Sequence, residues 1–337
     1  MPSWRKKVQV LIKINDIAEG VRNGNLRSLA KAITLIESRS PDHSLAATTL
    51  LDELLPFSGG AIRVGISGVP GVGKSTFIEA LGLHLTGQGH KVAVLAVDPS
   101  SQLSGGSILG DKTRMEMLSR DHNAFIRPSP AGETLGGVAR KTRETMLICE
   151  AANYDVIIVE TVGVGQSEIT VASMVDMFLL LQLPGAGDEL QGIKRGVMEI
   201  ADAIIINKAE GENRPRAELA GQQYENALHM MAPKSLNWQI PVQLCSALKN
   251  EGIAEVWQQV VAFRAAMQAS GEFDTKRSKQ NSDWMWTLLM DDLKDYFLRD
   301  RQIEALLPQV QESVMQGIST PSAAARRLLE TFKKIKY

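Results

Sequence analysis

Apolar positions change their period twice along the 337 residues. Up to about residue 57 they recur at helical spacing. Leu11, Ile14, Ala18 and Val21 make one stripe, Asn23-Gly24-Asn25 breaks it, and Leu26, Leu29, Ala30, Ile33 and Ile36 resume it. Ser40-Pro41-Asp42 opens a further helix. From about 58 to 265 short apolar runs alternate with helix-like segments. The runs are Ala61–Ser67, Lys91–Val97, Val156–Val159, Met177–Leu181, Ala203–Ile206 and Pro241–Cys245. Most are continuously apolar, as strands buried on both faces should be. The alternation predicts an α/β fold with a doubly wound, mainly parallel sheet.

From about 266 to 337 the helical period returns. Met285, Leu289, Leu293 and Tyr296 form a stripe widened by Trp284, Leu288 and Phe297. Ile303, Leu306, Leu307, Val310 and Val314 form another, with a bend expected at Pro308. Thr320-Pro321 is a cap and first-turn pair for a last helix bearing Leu328, Leu329 and Phe332. The polar stretch 270–283 reads as a linker. Three zones follow: an N-terminal helical extension (1–57), an α/β domain (58–265) and a C-terminal helical arm (266–337). Helices this apolar need a partner surface, either the α/β domain or a second copy of the chain.

A formal net charge of −1 gives no electrostatic footprint for nucleic acid or an anionic membrane. Cys149 and Cys245 form no Cys-x-x-Cys pair, and His43, His84, His90, His122 and His229 are scattered. A disulfide framework or a zinc site is therefore not expected. The apolar run after Arg5, Lys6 and Lys7 is too short for a signal-peptide core, and no run of 18 apolar residues occurs. The expectation is a cytoplasmic protein with no membrane span and no nucleic-acid partner.

Gly68-Val69-Pro70-Gly71-Val72-Gly73-Lys74-Ser75 satisfies G-x-x-x-x-G-K-[ST] at every fixed position. It follows the run Ala61–Ser67 and opens a helix containing Phe77, Ile78, Leu81 and Leu85, which is the context the motif requires. Its glycines let backbone N–H groups point at anionic oxygens, and the helix N-terminus adds positive potential. Lys74 is placed to reach the β and γ phosphates, Ser75 to ligate Mg²⁺, and Thr76 to support the loop and the α phosphate.

Asp98 ends the second run and Glu160 the third, so each carboxylate is delivered to the sheet edge that holds the loop. A carboxylate there binds Mg²⁺, directly or through water, or positions the attacking water. As plain chemistry, each could instead be a helix cap or turn residue. Gly163 is then the glycine whose amide meets the γ phosphate. Asn207-Lys208-Ala209-Glu210 follows the run Ala203–Ile206 and is similar to the Asn-Lys-x-Asp guanine element, with Glu in place of Asp. A carboxylate there accepts the N1 and N2 donors of guanine, which adenine lacks. Ser246-Ala247-Leu248 is the companion loop, offering a backbone N–H to the guanine carbonyl. Two segments rich in glycine and charge, Ser104 to Arg114 with Asp111 and Pro184 to Arg195 with Lys194, are candidate switches beside a γ phosphate.

Together, Gly68 to Thr76, Val97-Asp-Pro-Ser-Ser101, Gly106 to Arg114, Glu160-Thr-Val-Gly-Val-Gly-Gln-Ser-Glu168 and Pro184 to Lys194 closely resemble the MeaB/ArgK family of P-loop GTPases. The resemblance covers nearly the whole chain, and the family is of one class with the nickel-inserting GTPases of hydrogenase and urease. It implies a GTPase with Mg²⁺ and bound GTP or GDP, and a homodimer joined through C-terminal helices. It also implies a partner, methylmalonyl-CoA mutase, whose adenosylcobalamin loading the protein guards and which it protects from inactivation. By match, Glu160 belongs to the second switch, Asp98 and Asp111 to the Mg²⁺ and first-switch region, and Lys194 to a third switch peculiar to the family. An older reading of the family is an ATPase or kinase of arginine and ornithine transport. A nickel or zinc inserter would want a His-rich tract or a Cys-x-x-Cys set, and the chain has neither.

Overall fold

The computed structural model describes residues 14–38, 40–97, 115–129, 135–161, 167–185 and 195–334. Seven strands form one parallel sheet in the order β3-β2-β4-β1-β5-β6-β7. They are β1 (Ile62–Gly68), β2 (Val92–Val97), β3 (Ala124–Arg127), β4 (Val156–Thr161), β5 (Met177–Gln182), β6 (Ala203–Ile206) and β7 (Val242–Leu244). Six of these lie where the apolar runs place them, with ends shifted by one or two residues. The exception is β3, which the sequence pattern does not announce. It is a four-residue edge strand paired only to β2, and of its residues only Ile126 is buried. One buried position in four gives no continuous apolar run to detect.

Helices cover both faces. On one, β-strand residues Val64, Ile66, Val94, Ile158 and Leu179 pack against α4 (Lys74–Gly87) and α9 (Ile253–Ser270). On the other, the intervening residues Ala93, Leu95, Ile157 and Val159 pack against α1 (14–22), α2 (Leu26–Glu37), α3 (Pro41–Leu54) and α5 (Leu135–Ala151). Asn25 caps α2 by accepting Ser28 N at 3.0 Å, so the break read at Asn23-Gly24-Asn25 is a turn between two helices of one layer. The short helices α6 (Ser167–Ala172) and α7 (Arg195–Ile200) follow, and α8 (Arg214–His229) buries Ala217, Ala220 and Tyr224 against Ile204 and Ile206.

The chain divides into two compact units, residues 1–276 and 277–337. Residues 270–283 are not the linker expected from their polarity. Gly271 (φ 75°) ends α9, and α10 (Glu272–Leu298) starts immediately, with Glu272 and Asp274 in its first turn. From Glu272 to Asp283 the polar stretch holds no proline or glycine and forms a helix, and acidic residues favour the N-terminal turn. In the second unit α11 (Arg301–Met315) is capped by Asp300, and α12 (Pro321–Lys334) by Thr320, which accepts Ala323 N at 3.2 Å. Ile303, Val310 and Ala324 are buried, and Phe332 meets Tyr296 and Phe297 edge-on.

At the amino ends of β5 and β6 a buried charge cluster holds the first unit together. Asp202, 4% exposed, accepts Phe178 N at 2.9 Å and Lys234 Nζ at 2.6 Å, and Lys276 Nζ lies 3.5 Å away. Burial pushes the Lys276 ammonium below its usual range, against the pull of Asp202. Removing Asp202 leaves the buried Phe178 N without its acceptor, at about 1–3 kcal/mol. Asp202→Ala is expected to lower the urea midpoint accordingly; an unchanged midpoint contradicts this assignment.

Candidate functional site

The central strand β1, paired to β4 and β5, delivers the phosphate loop to the carboxyl edge of the sheet, where such folds bind their ligands. Gly68 is required there, because a Cβ would stand 2.6 Å from Leu181 O on β5. The loop closes with Val72 N donating to Val69 O at 3.2 Å. Val69 and Pro70 lie between Gly68 and Gly71, and Val72 points inward and is fully buried. Gly71 and Gly73 adopt positive φ (79° and 89°), where a side chain strains the backbone. Helix α4 begins at Lys74 with no acidic residue in its first turn, so its positive end is not neutralised from within. Lys74 Nζ donates to Gly68 O at 2.8 Å, which lays the ammonium across the loop. Thr76 is exposed on the same first turn.

Glu160, 4% exposed near the end of β4, sits in register with Ile66 of β1 and Ala96 of β2. Ser75 Oγ faces its Oε1 at 3.5 Å. Beside it Thr161 Oγ1 donates to Ser67 Oγ at 2.9 Å, fixing the two strand ends to one another. A hydroxyl and a carboxylate meeting at the loop are hard oxygen donors of the kind Mg²⁺ takes. Among the described residues no group of three or more His, Cys, Asp or Glu side chains could hold a metal ion. Mg²⁺ commonly uses only one or two protein ligands, with phosphate and water completing its shell, so the donor pair fits that ion. Asp98, Asp111, Gly163 and Lys194 lie outside the described residues. Val97, which precedes Asp98, pairs with Thr161.

The Asn207–Glu210 segment reaches the loop from β6. Asn207, 1% exposed, donates from Nδ2 to Val72 O at 2.8 Å. Its Oδ1 accepts Ala247 N at 3.1 Å and lies 3.5 Å from Cys245 Sγ. Lys208, in a left-handed conformation (φ 60°), donates from Nζ to Gly71 O at 2.7 Å. Ala209 N donates to Cys245 O at 3.0 Å, so the Asn207 turn and the Ser246-Ala247-Leu248 loop are one unit. Ser246 exchanges backbone hydrogen bonds with Glu251 and its Oγ accepts Lys249 N, while Leu248 is exposed. Glu210 is half-buried, and its Oε2 is buried without a hydrogen-bond partner among the described residues. A buried carboxylate oxygen left unsatisfied is costly, and it is suited to accept a donor from a ligand.

Cys245 was not a site residue by sequence. Its thiol is pushed up to about 12 by burial and then by the Glu210 charge, so it is a protonated donor and not a nucleophile. Its place one residue before Ser246 was the available signal.

The family model described as "Methylmalonyl Co-A mutase-associated GTPase MeaB" matches residues 29–302. A "Putative GTPase" of Caulobacter vibrioides is 52% identical over 321 residues, covering 95% of this chain and 98% of the relative. The "Methylmalonic aciduria type A homolog, mitochondrial" of Mus musculus is 46% identical, covering 95% of this chain and 80% of the relative. A crystal structure described as a "LAO/AO transport system kinase" is 40% identical, with a TM-score of 0.76 over 96% of this chain and 98% of that one. The matched span and these identities agree with the phosphate loop and parallel sheet: the chain belongs to the MeaB family of P-loop GTPases.

Proposed function

We propose that the chain is a G-protein chaperone for methylmalonyl-CoA mutase, using GTP hydrolysis to gate or protect the loading of the mutase's adenosylcobalamin. The observation that carries the nucleotide half is the Asn207 side chain, bound at once to Val72 O of the phosphate loop and to Ala247 N, with the unpaired Glu210 oxygen beside it. Base and phosphate recognition are thereby held in one frame. The mutase half is supported by the names of the matching family and of the mouse relative.

In this reading the amides of residues 68–76 and the start of α4 bind the phosphates. Lys74 leaves Gly68 O to contact the β and γ phosphates. Ser75 and Glu160, joined by Asp98 and Asp111, would hold Mg²⁺, which when bound would supply positive charge against that developing on the transferred phosphoryl group. Gly163 meets the γ phosphate. Glu210 accepts the guanine N1 and N2 donors, and the Ser246–Leu248 loop meets the guanine carbonyl. The Ala247 amide is committed to Asn207, so a neighbouring amide of the loop serves the base.

A homodimer through the C-terminal helices belongs to the same proposal. Met285, Trp286, Leu289, Met290 and Leu293 are each 43–61% exposed on α10 within the second unit. That apolar band is of the sort a second copy covers. No helix among the described residues is long and apolar enough to cross a membrane. A kinase serving basic amino-acid transport is the second reading, favoured by the description of the 40% identical structure. Phosphate transfer from ATP to an amino acid or protein acceptor, in place of hydrolysis, distinguishes it.

Lys74→Ala should weaken GTP binding by about 1.5–3 kcal/mol, the worth of a hydrogen bond to a charged group, and abolish turnover. Wild-type turnover in that variant would sink the phosphate-loop assignment. For the partner, GTP turnover is measured with and without methylmalonyl-CoA mutase, for wild type and Lys194→Ala. A cation supplied to the transition state is worth about 10³–10⁵ in rate in related enzymes. The expected result is basal turnover and nucleotide affinity preserved in Lys194→Ala but mutase stimulation lost. Equal stimulation of both proteins removes Lys194 from the coupling, and no stimulation of wild type argues against the mutase.

A further inference from the structure

The thiol beside the Asn207 frame stands on a boundary between two environments. Cys245 is 3% exposed and lies in the apolar cluster that holds Ile205, Ile253 and Val256. Its backbone is pinned on both sides. Cys245 N donates to Ile206 O at 2.9 Å, and Cys245 O accepts Ala209 N at 3.0 Å. The start of α9 closes over it, since a Cβ on Gly252 would stand 3.1 Å from Cys245 Cβ. From this apolar seat Sγ donates to Asn207 Oδ1 at 3.5 Å. A cysteine packs as a small hydrophobe and still carries a weak donor, so it can serve both sides of the boundary.

The donor has a defined task. Cys245 Sγ and Ala247 N converge on Asn207 Oδ1, while Val72 O faces Nδ2 at 2.8 Å. Three contacts, not two, therefore fix which end of the amide is which and how its plane lies. Burial and the neighbouring Glu210 charge keep the thiol protonated, so the donor is not lost near neutral pH. A separate observation points from this frame to a ligand. Glu210 Oε2 is buried without a hydrogen-bond partner among the described residues, and a buried acceptor left empty is costly. Asn207 lies between the turn that bears Glu210 and the loop that bears Ala247.

We propose that Cys245 is a positioning residue for guanine selectivity: its S–H fixes the Asn207 amide and so holds the Glu210 turn in register with the Ser246–Leu248 loop. The inference rests on the GTPase reading above, in which those two segments read the base. Without the thiol, Oδ1 keeps only Ala247 N, and the amide is free to pivot toward it. Phosphate binding is spared, because the phosphate loop has its own closure through Val72 N and Val69 O and its own lysine contact at Gly68 O. A cysteine that only filled space would change stability and treat all nucleotides alike.

The test is calorimetric titration of the full chain, with Mg²⁺ present, by GDP and by ADP. The two share ribose and phosphates, so the ratio of their affinities isolates the base. Wild type should prefer GDP. In Cys245→Ala, GDP binding should weaken about threefold to tenfold, the scale of one net hydrogen bond, while ADP binding stays within about twofold. Cys245→Ser, which restores a donor, should recover most of the GDP preference. Both variants should melt lower than wild type, one by lost packing and the other by a buried hydroxyl, yet only Cys245→Ala should lose selectivity. The proposal is overturned if Cys245→Ala keeps the wild-type ratio, if it weakens GDP and ADP equally, or if Cys245→Ser is no more selective than Cys245→Ala. Equal affinities in wild type itself would instead mean that the guanine reading had failed, and a retained wild-type preference with an unchanged ratio in Cys245→Ala removes the positioning role alone.

Discussion

One buried amide ties together three stretches of chain that are far apart in sequence. Asn207 stands at the end of β6, donates to the backbone of the phosphate loop at Val72 and accepts from Ala247 beyond β7. Because the side chain is 1% exposed, none of these groups has water to fall back on. Breaking one contact leaves a buried donor or acceptor unsatisfied, at about 1–3 kcal/mol each. The geometry around the bridge is correspondingly narrow. A Cβ at Gly73 would approach Asn207 Nδ2 to 3.0 Å, and a Cβ at Gly252 would meet Leu244 O at 2.6 Å. The loop glycines therefore serve two demands, close approach of phosphate and close approach of the neighbouring strand ends.

The parallel sheet makes this bridge possible. Every strand ends at the same edge, so loops that follow β1, β4, β6 and β7 converge there without any contact between their sequences. The opposite edge carries the stabilising charges. Asp202 and Asp176 stand at the amino ends of β6 and β5, where they accept Phe178 N and Arg63 N. Buried charge is thus used for cohesion at one edge, and a carboxylate oxygen of Glu210 with no partner among the described residues is left at the other.

Much of this was legible in the sequence because it depends on local rules. Most of the six strands read from the sequence are continuous apolar runs, and a helix opening on Gly-Lys-Ser after a strand has few other meanings. Thr320-Pro321 marks a helix start for equally local reasons. What was not legible depends on partners distant in sequence. The edge strand β3 has one buried residue and takes its form from pairing with β2. Residues 270–283 look like a linker by polarity, yet after Gly271, which ends α9, nothing in them breaks a helix. Cys245 acquires its role only once Asn207 is seen beside it. Asp98, Asp111, Gly163 and Lys194 rest on sequence and family alone.

The central claim is that the Asn207 frame reads guanine through Glu210. Calorimetric titration of the Mg²⁺-loaded protein with GDP, inosine diphosphate and ADP tests it directly. Inosine diphosphate keeps the N1 proton but lacks the exocyclic N2 donor, and ADP lacks both. The account predicts affinities in the order GDP, inosine diphosphate, ADP, with each lost donor to the buried carboxylate weakening binding by about tenfold or more. Equal affinities for the three would contradict it, because Glu210 would then not be reading the base.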